Sequence, residues 1–235
     1  MINGSARFHD RAQAGRALAQ VLVQALAKAG LNDAVVLALP RGGVPVGFEI
    51  AQALGAPLDI VMVRKIGAPG HKEYGIGALV DGAAPHVVID HEVARAVGAS
   101  DNYIKTTIAT ELAEIERRRN AYRTGPPVSL ANRTVIVVDD GIATGNTVRA
   151  ALEALAAAGP RKLILAVPVA PRSSLAMLRP LCDEIICLIA PEPFYSVGAH
   201  YAVFDQTSDQ EVISLLERAR RNLEENSPAG AEGWP

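Results

Sequence analysis

The stretch that decides the fold is Val135-Ile136-Val137-Val138-Asp139-Asp140-Gly141-Ile142-Ala143-Thr144-Gly145-Asn146-Thr147. Val135 to Val138 are β-branched and apolar with no polar alternation, the pattern of a central strand in a parallel sheet covered on both faces. Asp139 and Asp140 then fall at the carboxyl end of that strand, the edge at which open α/β sheets bind ligands. An alanine-rich helical pattern follows from about Asn146 to Ala158.

The loop from Gly141 to Thr147 has the parts of an anion cradle. Its glycines let backbone approach a ligand, Thr144 and Thr147 offer hydroxyls, and the positive end of the following helix dipole points at it. Two adjacent acids beside a phosphate repel it unless they face something else. Vicinal ribose hydroxyls or a hydrated Mg²⁺ are natural partners, so the ligand reads as a phosphoribosyl group. No Gly-Lys-Ser/Thr follows, and the glycines do not fall as G-x-G-x-x-G, so neither the nucleotide P-loop nor the dinucleotide fingerprint is present. A plain strand-to-helix turn needs only one Asp and one Gly.

This stretch resembles the phosphoribosyl pyrophosphate (PRPP) signature of type I phosphoribosyltransferases. The resemblance covers the core from about Val35 to Ile189, and the whole chain is similar to a group of stand-alone or hydrolase-fused bacterial members with unsettled substrates. It implies an α/β fold, a twisted parallel sheet flanked by helices with a small hood. The reaction it implies is Mg²⁺-dependent: an acceptor, usually a ring nitrogen, displaces pyrophosphate from C1 of PRPP. Asp139 and Asp140 are then expected to hold the ribose diol and, directly or through water, the metal. Gly141, Ile142, Ala143, Thr144, Gly145, Asn146 and Thr147 are expected to hold the 5′-phosphate.

Leu39-Pro40-Arg41-Gly42-Gly43-Val44-Pro45 follows the first sheet strand and opens a helix. Alone it reads equally as a tight turn or as an anion loop in which Arg41 forks onto phosphate oxygens and the Gly42 and Gly43 amides converge. It resembles the family's pyrophosphate loop. The next strand ends in Arg64-Lys65 and runs into Ile66-Gly67-Ala68-Pro69-Gly70-His71-Lys72-Glu73-Tyr74-Gly75. Glycine and proline make this a poor helix or strand, so it reads as a mobile loop, with Lys65 and Lys72 closing over pyrophosphate as in the family. An exposed hairpin is the plainer alternative.

One departure bears on the acceptor. The 6-oxopurine enzymes carry an aspartate just before the signature Thr-Gly, where this chain has Ala143, and a methyl group accepts no proton. The acceptor must arrive already nucleophilic or find its base in the hood. Pro191 to Tyr201 holds three of the nine Phe and Tyr residues of the chain, and Phe194 and Tyr195 are candidates to stack on a planar acceptor. Equally, these rings anchor the C-terminal segment to the core.

The rest of the chain supports a cytoplasmic protein. Its 235 residues suffice for a full core, and 23 basic against 25 acidic residues leave a net charge of −2, which advertises neither nucleic acid nor membrane. No leader pattern or bilayer-length apolar run occurs. Cys182 and Cys187 lack metal-site spacing and read as free, buried thiols. His9, His86, His91 and His200 are scattered singly. Arg117-Arg118-Arg119 and Arg123 follow Glu111, Glu114 and Glu116 and read as a paired, solvated helix face.

Helical patterns near 10–29, 44–54 and 101–122 alternate with strand patterns near 34–39, 58–64, 77–80, 87–90, 162–167 and 184–189, which is βαβ punctuation. Gly125-Pro126-Pro127 breaks the chain before the signature. The expected division is a core over 1–190, a hood or docking segment over 191–223 and a disordered tail over 224–235. A homodimer is expected, as dimers are common in the family. Two rival functions remain: a regulatory protein that kept the fold as a PRPP or nucleotide sensor, and a phosphatase using Asp139 as nucleophile.

Overall fold

A computed structural model describes residues 8–80, 86–122 and 128–226, with the side chains of Lys72, Glu73, His86 and Asn226 outside that description. The expectations for Lys72 as a side chain, for Arg123, for the Gly125-Pro126-Pro127 break and for the tail beyond residue 226 therefore lie outside the described residues.

Strands β1 (Ala34–Ala38) and β6 (Thr134–Val138) are buried at every position, as uninterrupted apolar runs require. They pair in parallel through five residues, from Ala34 opposite Thr134 to Ala38 opposite Val138. With β2 (Leu58–Ile60), β7 (Lys162–Val169) and β8 (Glu184–Ile189) they form a parallel sheet ordered β2-β1-β6-β7-β8. Side chains alternate across it. Val35, Leu37, Val135 and Val137 meet Val148, Ala151 and Leu152 of α5 (Asn146–Ala156) on one face. Val36, Ile136 and Val138 meet Leu18, Leu22 and Leu26 of α1 (Arg11–Ala29) and Val46 and Ile50 of α2 (Gly43–Leu54) on the other. Leu18 and Leu22 are wholly buried, so truncating either to Ala costs about 2–5 kcal/mol.

Around the second sheet the chain differs from the sequence reading in two places. The expected 58–64 strand is two strands: β2 ends at Ile60, and β3 (Val63–Ala68) belongs to a second, antiparallel sheet with β4 (His71–Val80) and β5 (His86–Ile89). The segment read as a mobile loop, with an exposed hairpin as the alternative, is the tip of that β3–β4 hairpin, turning at Gly70 (φ +74°) with register shifts at Gly67. Its apolar residues explain the order: Ile66, Ala68 and Ile76 pack on Ala94 of α3 (His91–Ala96) and on Tyr103 and Ile104 of α4 (Asp101–Tyr122). The Tyr103 hydroxyl also donates to the Gly67 carbonyl at 2.9 Å.

Beyond β7 comes a short helix α6 (Arg172–Leu178), and the C-terminal segment divides into a loop over 190–208 and a helix α7 (Asp209–Asn226). Val212 and Leu216 of α7 pack with Val44, Ile115 and Tyr122. The helix continues through residues 224–226, past the expected start of the tail. The loop does not form a layer alone: Phe8 and His9 pair with residues 200–203, the Phe8 amide donating to the His200 carbonyl at 3.0 Å and the Ala202 amide to the Phe8 carbonyl at 2.9 Å. Cys182 and Cys187 are free and half-buried. Among the described residues no helix is long and apolar enough to cross a membrane.

Candidate functional site

From β1 the chain proceeds outward to β2, and it returns through β6 to build the other half of the sheet, so the strand order reverses between β1 and β6. A crevice opens outside the carboxyl ends at such a switch point. Both loops singled out from the sequence leave the sheet there. Leu39 continues the ladder, its amide donating to the Val138 carbonyl at 2.8 Å, and the chain then turns tightly into α2 across a cis Pro40–Arg41 peptide.

The two loops touch. A Cβ on Gly43 would stand 2.7 Å from the Val138 carbonyl oxygen, and a Cβ on Gly42 would stand 2.1 Å from Oδ2 of Asp140. Both positions must be glycine for α2 to begin against the end of β6. The expected donor role of Gly43 needs correction: its amide already donates to the Leu39 carbonyl at 3.0 Å, closing the turn. The same holds for Ile142, whose amide donates to the Val169 carbonyl at 2.9 Å. These two residues shape the site rather than offer N–H groups to it.

The signature loop is fixed from outside. Gly141 is pressed between Val197 and Val169, where a Cβ would come within 2.5 and 2.8 Å of their methyls. The Ser174 hydroxyl donates to the Ala143 carbonyl at 2.6 Å. Gly145, at φ +79°, is the N-cap of α5 and provides no side-chain cap, so the first N–H groups of that helix have no intrahelical partner. Thr144, Asn146 and Thr147 are exposed around them. Uncapped amides, a helix dipole and two hydroxyls have the chemistry that suits an anion.

Asp139 accepts the Asp140 amide on Oδ1 at 2.8 Å. Burial, then the neighbouring charge of Asp140, pushes the Asp139 carboxyl well above the usual carboxylate range. Burial raises Asp140 too, opposed by Arg11. Two withdrawn, like-charged carboxylates accommodate a cation or hydroxyl donors, and Mg²⁺ fits: it commonly takes one or two carboxylates, completing its shell with substrate oxygens and water. No cluster of three or more metal-ligating side chains occurs among the described residues.

Arg41 stands at the loop with Nη1 3.4 Å from Oδ1 of Asp209, the first residue of α7. Asp209 also accepts the Tyr122 hydroxyl at 2.5 Å, and that bond, with Arg41, holds its carboxyl below the usual range. Lys65 is exposed on β3, its stem beside Gly75. Of the two proposed stacking rings, Phe194 is half-buried and stacks on His200 with centroids 5.8 Å apart, within the cluster of Phe8, Tyr201 and Phe204. Tyr195 is 82% exposed. Arg117 and Arg118 both bridge to Glu114, whose carboxyl they hold near 2, as a paired helix face does.

Sequence reasoning missed Arg11 and Tyr201. Arg11 donates from Nε to Oδ2 of Asp140 at 2.7 Å, with only 13% and 14% of the two side chains exposed. The Tyr201 hydroxyl donates to the Asp140 carbonyl at 2.5 Å. One signal was available for Arg11: it is a cation in the first turn of a helix, where the dipole disfavours positive charge, and the acid beside it, the N-cap Asp10, is engaged by the Gln13 amide.

Comparison with known proteins agrees with this architecture. Residues 5–202 match the phosphoribosyl transferase domain family. A Mycobacterium tuberculosis protein provisionally named a phosphoribosyl transferase is 41% identical over 229 residues, 97% of this chain and 50% of that protein. The chain thus spans about half the length of the curated relatives it matches. The crystal structure of TT1426 from Thermus thermophilus is 39% identical and superimposes with a TM-score of 0.77, covering 90% of this chain and 98% of that one. A shorter match, 46% identical over 65 residues, joins 27% of this chain to 36% of the bifunctional protein PyrR of Deinococcus radiodurans. With its family match over most of its length and the two loops meeting at the switch point, the chain belongs to the phosphoribosyl transferase domain family.

Proposed function

We propose that the chain is a phosphoribosyltransferase that moves the 5-phosphoribosyl group from PRPP to a nitrogenous acceptor and releases pyrophosphate. The observation that carries this reading is the contact of the Arg41-Gly42-Gly43 loop with the Asp139-Asp140 pair at the switch point. The uncapped N-terminus of α5 lies on the same loop. Together they offer three recognition chemistries along one crevice: phosphate, vicinal diol and pyrophosphate.

In this reading the Thr144 and Thr147 hydroxyls and the first amides of α5 bind the 5′-phosphate and anchor the sugar. Asp139 and Asp140 accept from the ribose hydroxyls. Asp139 and Asp140 would also hold Mg²⁺, which when bound would supply neutralisation of the negative charge growing on pyrophosphate. The acceptor nitrogen bonds to C1 as the bond from C1 to the pyrophosphate oxygen breaks, and the electron pair leaves with pyrophosphate. Arg41 and the Gly42 amide receive that growing negative charge. Lys65 and Lys72 add positive charge from the β3–β4 hairpin. Catalysis then rests on orientation and on charge complementarity in the transition state.

Ala143 offers no proton acceptor at that position of the signature, so the acceptor enters already nucleophilic or finds its base in the 190–208 loop. Tyr195, exposed beside the signature-contacting Val197, is the ring available to stack on it. A charged phosphosugar does not cross a bilayer unaided, and the proposed reaction is read as a cytoplasmic one on that ground.

A calorimetric titration with PRPP, with and without Mg²⁺, tests the donor site. Metal-dependent binding followed by pyrophosphate release with a panel of nitrogenous bases supports the transferase. Metal-dependent binding without release from any base favours a PRPP-sensing protein on this fold. No binding in either condition refutes the donor-site assignment.

A further inference from the structure

We infer that Arg11 is a positioning residue of the donor site, acting through Asp140 to hold three separate parts of the chain in register. The inference rests on the phosphoribosyl reading above and assigns a role to a residue outside every motif of that reading.

The geometry is specific to a guanidinium. Nε donates to Asp140 Oδ2 at 2.7 Å, Nη1 donates to the Asp205 carbonyl at 2.6 Å, and the planar head lies over the Phe204 ring, 4.0 Å from its centroid. One side chain thereby ties α1, the signature loop and the 190–208 loop together. A lysine has one compact donor head and cannot meet a carboxylate, a carbonyl and a ring face in these three directions at once. Tyr201 closes the same circuit from the other side: its hydroxyl donates to the Asp140 carbonyl, and its ring stacks on Phe204 with centroids 4.9 Å apart.

The consequence lies in what Asp140 touches next. Its Oδ2 is the atom lying against Gly42, closer to that glycine's open face than Cγ or Oδ1. Arg11 therefore pins the oxygen that sets the separation between the signature and the pyrophosphate loop. Without Arg11, Asp140 would carry an uncompensated charge in a largely buried place, and the carboxylate would turn away from Gly42 toward water. The ribose diol and the pyrophosphate would then be presented by loops no longer in register. Arg11 need not touch the ligand for this to happen.

The test is calorimetry with Mg-PRPP on the wild type, Arg11→Met, Arg11→Lys, Asp140→Asn and the double variant Arg11→Met/Asp140→Asn, each well below its own unfolding midpoint. Groups that orient a ligand-binding carboxylate typically contribute about 10- to 100-fold, so Arg11→Met should weaken binding by that amount, with Arg11→Lys intermediate. Because both residues act through one contact, the double variant should bind no more weakly than the worse single variant. A residue needed only for stability would lower the unfolding midpoint and leave the affinity of the folded protein alone. Affinity of folded Arg11→Met within roughly twofold of wild type overturns the inference, as do losses that multiply in the double variant. If Arg11→Met does not fold, Arg11→Lys, which keeps the charge but cannot meet all three partners, carries the test, and affinity of that variant within roughly twofold of wild type then overturns the inference. Absence of binding by the wild type refutes the phosphoribosyl reading itself, whereas binding by the wild type with unaltered Arg11 variants refutes only the role of Arg11.

Discussion

Gly42→Ala tests the contact between the two loops with a single methyl group. The backbone at Gly42 is ordinary αR (φ −62°, ψ −32°), so alanine suffers no conformational strain, and its reduced unfolded-state freedom favours folding by up to about 1 kcal/mol. The cost is steric. The new Cβ would lie 2.1 Å from Asp140 Oδ2 and 2.6 Å from Cγ, and ordinary contact begins near 3.4 Å, so the carboxylate must retreat by about 1.3 Å. Arg11 cannot follow it, being held by the Asp205 carbonyl and seated on Phe204. Overpacking costs about 1–3 kcal/mol, and a disrupted buried ion pair up to about 3–5 kcal/mol. These overlap, and with the entropic offset we expect a net loss of about 2–4 kcal/mol. For a domain of this size that is a fall in Tm of roughly 5–15 °C, accompanied by loss of Mg-PRPP binding in calorimetry. In an Asp140→Ala background the obstacle is gone, and Gly42→Ala should then cost less than about 1 kcal/mol. An unchanged Tm in the wild-type background, or the same cost in both backgrounds, would refute the idea that this glycine exists to admit the carboxylate.

Asp139→Asn combined with Asp140→Asn should keep the fold and abolish the metal-dependent part of PRPP affinity; calorimetry with the metal-dependent part intact would remove the pair from the site. Gly141→Ala places a Cβ 2.5 Å from Val197 and should loosen the 190–208 loop from the signature, read as faster amide exchange at residues 197–204; unchanged exchange there would contradict the packing. His200 is pushed below its ordinary value of 6.5 by burial, and its Nε2 has no hydrogen-bond partner among the described residues. The unfolded chain therefore binds the proton more readily, so stability is undiminished above about pH 6.5 and falls as pH drops from there toward the folded value. His200→Phe, which keeps the stack on Phe194, should flatten that slope, and parallel pH curves for the two proteins would count against it.

Legibility followed from how far in sequence each interaction reaches. The signature strand, its two acids and its glycine-threonine loop are contiguous, so strand burial, carboxyl-end placement and the start of α5 at Asn146 could all be read from local pattern. Helix α7 also carries a local start signal, since the Ser208 hydroxyl accepts the Glu211 amide at 3.1 Å in a Ser-x-x-Glu arrangement. The aromatic residues just ahead of it draw the reading toward a hood instead. The 66–75 segment misleads for a different reason. Its Gly and Pro residues argue against regular structure locally, and what orders it is the non-local burial of Ile66, Ala68 and Ile76 against α3 and α4.

The Arg11–Asp140 pair shows where such reading stops, because it spans 129 residues. Nothing near Asp140 states that its partner is at the start of the chain, and nothing near Arg11 names a carboxylate. The clue is a conflict: a cation at the positive end of a helix dipole is unfavourable unless something else holds it. Asp140, the Asp205 carbonyl and the Phe204 face supply that hold. Local inconsistency of this kind tends to mark functional positions, and here it sits on the carboxylate where the two loops of the proposed donor site meet. Motif reading finds the groups that face a ligand, and conflicts with local preference find the groups that keep them in place.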